Sequence, residues 1–183
     1  MQKSKGFVSA VLLVVALAVG ACASTRTTKS AGEQVDDSVT TGRVKAALIA
    51  DPTTKAHQID VETFKGTVQL NGFVDSSASK QRASEVAKST KGVTAVRNNL
   101  TVRSDSGPSG SERVDDAAIT TKVKAALAGD PRTKAHQVNV ETREGAVQLS
   151  GFVDTSEAKS TAEELARNVD NVKSVDNEID VKK

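Results

Sequence analysis

Few side chains in this chain are able to do chemistry. His57 and His136 are its only histidines, the residue type whose charge changes near neutrality. A metal site needs two or three converging ligands, and neither histidine has a second His or Cys nearby. General-base catalysis needs a partnered nucleophile, and no Ser/His/Asp arrangement is visible. Both histidines therefore read as loop-to-strand positions where His is tolerated, with or without a structural hydrogen bond. Neither GxGxxG nor a Walker pattern occurs, so no phosphate loop is built. The residues predict no catalytic site, no cofactor and no metal.

Two constellations suit binding. Lys122, Lys124, Arg132 and Lys134 cluster on one helix and the loop after it. Beside a membrane, such cations attract anionic headgroups at about 1 kcal/mol each. The competing reading is a solvated helix end, where the dipole alone favours cations by about 0.3–1 kcal/mol. The helix carries no aromatic and little outward bulk, so any lipid contact would be superficial. The other pair is Phe73 and Phe152, on the strand face opposite Leu70 and Leu149. If helices cover the leucine face, these phenylalanines lie on an open sheet face. They then mark a domain–domain or partner contact, or are lone surface aromatics.

Most of these residues come in pairs because the chain repeats itself. The stretch VDDSVTTGRVKAALIADPTTKAHQIDVETFKGTVQLNGFVD from Val35 recurs as VDDAAITTKVKAALAGDPRTKAHQVNVETREGAVQLSGFVD from Val114. The offset is 79 residues without a gap. His57 maps to His136, Gly72 to Gly151 and Val102 to Val181. Residues 34–103 and 113–183 are thus two copies of one small domain. Between them, 104–112 (SDSGPSGSE) is a Ser/Gly linker with an r.m.s. reach of roughly 15–18 Å, enough for the copies to pack on each other.

Before the repeat stands a leader. Lys3 and Lys5 form a basic start, Phe7 to Val19 is apolar, and Gly20-Ala21 precede Cys22, the only cysteine. The apolar run is shorter than the roughly 20 residues of a spanning helix, so residues 1–21 read as a signal peptide. Val19-Gly20-Ala21-Cys22 resembles the lipobox of bacterial lipoproteins, which implies a lipidated Cys22 at the mature N-terminus. Three fatty chains would anchor it firmly without spanning. Ala23 follows, with no Asp of the kind that retains such proteins at the inner membrane, which by resemblance favours the periplasmic side of the outer membrane. Residues 22–33 read as a lipidated flexible tether.

Once Lys3 and Lys5 are removed, 23 basic residues face 23 acidic ones. Such a balance, without Trp or Tyr, gives nucleic-acid binding no support. The charge is unevenly spread, however. Residues 34–103 carry 10 basic and 7 acidic side chains, and residues 113–183 carry 11 and 13. A basic copy and an acidic copy attract each other.

Within the second copy, Asp115 or Asp116 caps a predicted helix running to Gly129, with Ile119, Val123, Ala126 and Leu127 on one face. Asp130-Pro131 blocks its continuation. Val138, Val140 and Thr142 alternate, Glu144-Gly145 turns, and Val147, Leu149, Gly151 and Val153 alternate back as a hairpin. Asp154, with Glu157, starts a second helix whose stripe is Ala162, Leu165, Ala166 and Val169. A closing strand carries Val175, Ile179 and Val181. Gly72 and Gly151 fall mid-strand, where a missing side chain lets a helix approach the sheet. The expected class is α+β, with α-β-β-α-β order and two helices on one face of a three-stranded mixed sheet.

That order, the size and the Val-Gln-Leu-x-Gly-Phe-Val core at 68–74 and 147–153 resemble the BON (bacterial OsmY and nodulation) domain family over both copies. A lipobox before two such domains is similar to the dual-BON outer-membrane lipoproteins. The resemblance implies a non-enzymatic periplasmic module that binds anionic phospholipid or envelope proteins and supports envelope integrity. An alternative is a protein-interaction or chaperone-like adaptor working through the open sheet faces.

Overall fold

The computed structural model describes residues 31–54, 58–103 and 110–183. The signal peptide, Cys22, His57, Lys55 and most of both the tether and the linker lie outside the described residues. Each copy forms one layer of sheet under one layer of helices. The first comprises α1 (Ala31–Ala50), β1 (Ile59–Phe64), β2 (Thr67–Val74), α2 (Ser77–Ser89), β3 (Ala95–Asn98) and β4 (Thr101–Val102). The second comprises α3 (Gly110–Gly129), β5 (Val138–Arg143), β6 (Ala146–Val153), α4 (Ser156–Arg167) and β7 (Ser174–Val181), with a 3-10 turn at Ala135–Gln137.

Both sheets are mixed. β2 is central, antiparallel to β1 and parallel to β3 and β4. β6 is antiparallel to β5 and parallel to β7. The closing strand is broken in the first domain and continuous in the second. Its two pieces keep one register on β2, Leu70 opposite Asn98 and Phe73 opposite Thr101. Val140 faces Leu149 and Val61 faces Leu70, so the alternating residues converge under the helices. Val44, Leu48, Val68, Leu70 and Leu100 fill one core, and Val123, Leu127, Val147, Leu149 and Ile179 the other. All are 0 or 1% exposed.

The helix starts differ from the sequence expectation. α1 and α3 begin before Asp36 and Asp115, so no aspartate of the Asp-Asp pairs caps a helix. Asp116 instead reaches across to the hairpin turn, where its carboxylate accepts the Glu144 and Gly145 amides at 2.8 and 2.9 Å. Asp37 accepts those of Lys65 and Gly66 at the same distances. Both turn residues have positive φ, 54° and 79° in the second copy, the primed turn that suits a two-residue hairpin. Such a turn aims two adjacent amides at one acceptor, and a carboxylate has two oxygens to meet them.

The second helix starts one residue later than expected. Its cap is Thr155, which accepts the Ala158 amide, as Ser76 accepts that of Ser79 in the first copy. At the far end of α1 and α3, buried Thr54 and Thr133 donate to the Leu48 and Leu127 carbonyls at 2.6 and 2.7 Å. They satisfy acceptors the helix leaves open.

Asp116→Ala is expected to lower unfolding stability by about 2–3 kcal/mol, since two charge-assisted bonds at a 7% exposed site are lost. Urea denaturation checks this. An unchanged midpoint would show the clamp contributes nothing.

Candidate functional site

The sheet faces left uncovered by helices are not open, because they meet each other. Gln69 and Gln148, equivalent residues on the two central strands, are 0 and 1% exposed. The Gln148 side-chain oxygen accepts the Gly72 amide at 2.5 Å. The Gln69 oxygen accepts the equivalent Gly151 amide at 3.1 Å. Their amide nitrogens complete the exchange. Gln148 donates to the Asn99 carbonyl at 2.8 Å, and Gln69 to the equivalent Glu178 carbonyl at 3.4 Å and to Asp180 at 2.6 Å. The copies are thus related by an approximate two-fold axis between β2 and β6.

This arrangement corrects the reading of the central glycines. Their φ values are 111° and 120°, and a Cβ would lie 2.3 Å from the Gln58 carbonyl oxygen at Gly72 and 2.2 Å from that of Gln137 at Gly151. The strand entry crowds them, not a helix. Only glycine takes this conformation freely.

Near the axis the repeat breaks its own symmetry. Asp60 and Asn139 are equivalent positions, and they bond to each other at 2.9 Å, with Asn139 also donating to Glu62 at 2.9 Å. Phe64 stacks on Phe152 of the other domain at 5.3 Å between centroids, with Lys182 5.6 Å from the Phe64 ring. The position equivalent to Phe64 holds Arg143, 7% exposed, with a guanidinium nitrogen 3.5 Å from Asp75 of the first domain. Arg97 and Asp180 form a further cross-domain pair at 3.0 Å. Phe73 is 5% exposed, beneath Arg103 at 5.7 Å. The phenylalanines therefore do not lie on an open face. A partner that needs open sheet faces, as the adaptor alternative did, finds them occupied.

Of Lys122, Lys124, Arg132 and Lys134 in the second domain, two are engaged by carboxylates. Arg132 is held by Asp130 at 2.6 Å, and Lys134 by Asp154 at 2.9 Å. Asp130 is lowered to about 2, chiefly by the Arg132 side chain and then by its backbone amide. Asp154 is lowered to about 2 by hydrogen bonds from Lys182 and then Lys134. A depressed carboxylate stabilises the fold above its unfolded value near 4 and loses that contribution as pH falls toward 2. Lys122 and Lys124 are exposed on α3 and make no ion pair with a described residue.

His136 is exposed in the 3-10 turn that leads into β5, and its ring makes no hydrogen bond to a described residue. It borders an open cleft of about 470 Å3 between the domains, together with Glu62, Phe64, Asn139 and Phe152. Among the described residues, no group of three or more His, Cys, Asp or Glu could hold a metal ion. None of their helices is long and apolar enough to cross a membrane.

Two copies of a helix-covered mixed sheet, each with a Val-Gln-Leu-x-Gly-Phe-Val central strand, define the kind of protein this is. The BON domain model matches residues 36–104 and again residues 115–183. The chain belongs to the BON family. Over 188 aligned positions, covering 94% of each chain, it is 39% identical to osmotically-inducible protein Y of Escherichia coli K12. It is 34% identical to the outer membrane lipoprotein DolP of Haemophilus influenzae, over 93% of this chain and 86% of that one. A 21 kDa hemolysin of Actinobacillus pleuropneumoniae is also 34% identical, over 80% and 75%.

In this BON protein the signal for Gln69 and Gln148 is an identical polar residue amid apolar ones in both central strands. On one isolated domain it reads as solvent-facing. The Asp60/Asn139 difference was equally visible, but nothing placed the two positions opposite each other.

Asn139→Asp tests the axis. It removes two donated bonds and adds a carboxylate beside Asp60 and Glu62, whose mutual repulsion raises their proton affinity. The penalty should be complete at pH 7, about 1–3 kcal/mol, and should shrink as pH falls below about 4, where a protonated carboxyl restores one donor and the repulsion is lost. Thermal melts at the two pH values check it; a penalty independent of pH would contradict the arrangement.

Proposed function

We propose that this protein is a lipid-anchored, non-enzymatic component of the cell envelope that binds anionic phospholipid headgroups. Its place is the periplasmic side of the outer membrane, attached through Cys22, where it supports envelope integrity. The observation that carries the reading is the exposed lysines Lys122 and Lys124 on α3, neither of which forms an ion pair with a described carboxylate. Arg132 and Lys134 lie in the chain that follows α3, but each must leave or share an acidic partner to meet a phosphate. The lipobox-like Val19-Gly20-Ala21-Cys22 supports the anchor. So does the similarity to an outer membrane lipoprotein along most of both chains.

The physical logic is tethered, superficial electrostatics. Acyl chains keep the domains beside the bilayer, so headgroup contacts need only be individually weak. Attraction between exposed charges is screened by salt over about 8–10 Å, and lipid charge should decide whether binding occurs.

The test uses the chain from Ala23 onward, which keeps every described residue but carries no lipid. It is titrated with phosphatidylethanolamine vesicles with and without phosphatidylglycerol, at low and high salt. Binding should require phosphatidylglycerol and weaken with salt. Lys122→Gln with Lys124→Gln should weaken it by about 2 kcal/mol, roughly 30-fold. Binding that ignores lipid charge would overturn the reading.

A further inference from the structure

The largest exposed apolar side chains lie on one face of the first helix. Val35, Val39 and Ile49 are 63, 44 and 74% exposed. With Gly42 and Ala46 they fall at i, i+4, i+7, i+11 and i+14, a single stripe along most of the roughly 30 Å helix. Asp37, Thr40, Val44 and Leu48 on the opposite side are 5% exposed or less. The stripe is therefore surplus to the core. The second domain keeps only the first of these bulky positions, as Val114: α3 carries Ala118, Thr121, Ala125 and Ala128 where α1 has Val39, Gly42, Ala46 and Ile49.

Beside the stripe lies a shallow groove between α1, the first hairpin turn and the end of α2. Arg43, Lys65 and Lys91 line it, with Asp36 and Asp37. All three cations are exposed, and the Asp37 carboxylate is committed to the turn amides at 2.8 and 2.9 Å. The equivalent residues of the second domain are Lys122, Glu144 and Asp170. Two of three cations thus become acids in the copy that also replaces Val39 and Ile49 by alanine. Two independent features, bulk and charge, diverge together on one face of one domain.

We infer that this face of α1, with the Arg43/Lys65/Lys91 groove, is a second contact with the anionic phospholipid bilayer. Val35, Val39 and Ile49 enter the interface, and the cations meet phosphate. The inference rests on the membrane reading above and adds to it an apolar contact that the α3 surface lacks. Chain length favours this occupant. Nine peptide steps lead from Cys22 to Ala31, at most about 32 Å fully extended. A lipidated Cys22 therefore holds the start of α1 within that distance of the bilayer. An amphipathic stripe flanked by cations, held flat beside an anionic surface, is the arrangement expected of an interfacial helix.

The vesicle titration decides it, with three variants of the chain from Ala23. Val35→Ser/Val39→Ser/Ile49→Ser should bind phosphatidylglycerol vesicles at least roughly 10-fold more weakly while keeping its salt dependence. Arg43→Gln/Lys91→Gln should lose part of the salt dependence. If the triple variant melts early, Ile49→Ser alone, at the most exposed site, must still weaken binding. Lys122→Gln/Lys124→Gln is the comparator. Binding by both first-domain variants that equals the wild type overturns the inference. If the comparator then binds less, the membrane reading survives without it. A wild-type chain that ignores lipid charge overturns both.

Discussion

Everything in the relation of the two domains depends on the crossed exchange of Gln69 and Gln148 with Gly151 and Gly72. A primary amide shielded from water costs stability unless its oxygen and both hydrogens find partners. Each glutamine finds them only in the other domain: an amide hydrogen to accept, and acceptors on the closing strand. Each central glycine supplies the missing donor, in a backbone conformation that a side chain would not permit. Separating the domains would strand both glutamines' interdomain partners at once. The exchange therefore fixes register as well as proximity, because a slip of one residue along either strand would break both halves.

How much of this could be read from the chain alone divides along the domain boundary. Features with local causes were legible: the hairpins at Lys65-Gly66 and Glu144-Gly145, the helix stripe at Val123 and Leu127, and the order of elements. Each follows from a period or a turn residue within a few positions. Features caused by contacts across the molecule are legible only as alternatives or not at all. Asp116 looks like a cap because Asp favours helix starts, yet its partner is a turn 28 residues on. Phe152 looks exposed because alternation assigns it to the face without helices, and alternation cannot show that another sheet covers that face. Arg132 and Lys134 looked free because single-residue charge says nothing of Asp130 and Asp154 beside them. The divergence of Phe64 to Arg143 was legible as a difference, and its meaning required the axis.

Covalent duplication permits what a homodimer of one domain does not. In a two-fold homodimer, a residue beside the axis meets its own copy, so Asp60 would face Asp60 and Arg143 would occupy both equivalent sites. With the copies in one chain, one member of each pair can change. Asp60 gains a donor in Asn139. Phe64 can stack on Phe152 while its counterpart Arg143 pairs with Asp75. Asp180, where the first copy has Thr101, takes both Gln69 and Arg97. Each substitution makes the heterologous pairing better satisfied than either homologous one, which is specificity obtained by difference between copies.

The same freedom extends to the outer faces, away from the axis, where no packing requirement keeps the copies alike. The core positions Val44/Val123, Leu48/Leu127 and Leu70/Leu149 are identical because each must fill the same sheet–helix gap. The outward positions Ile49/Ala128, Lys65/Glu144 and Lys91/Asp170 differ in bulk or reverse in charge. These three lie on one side of α1 and its neighbouring groove, the side nearest in sequence to Cys22, while Ala78/Glu157 and Arg97/Asp176 change charge elsewhere. The locked sheet pair makes this division usable: because the glutamine exchange holds the domains in one orientation, the outer face of the first domain keeps a fixed direction relative to the second. Superficial contact with an extended surface needs that fixed presentation, since several weak contacts add only when the same geometry satisfies them together.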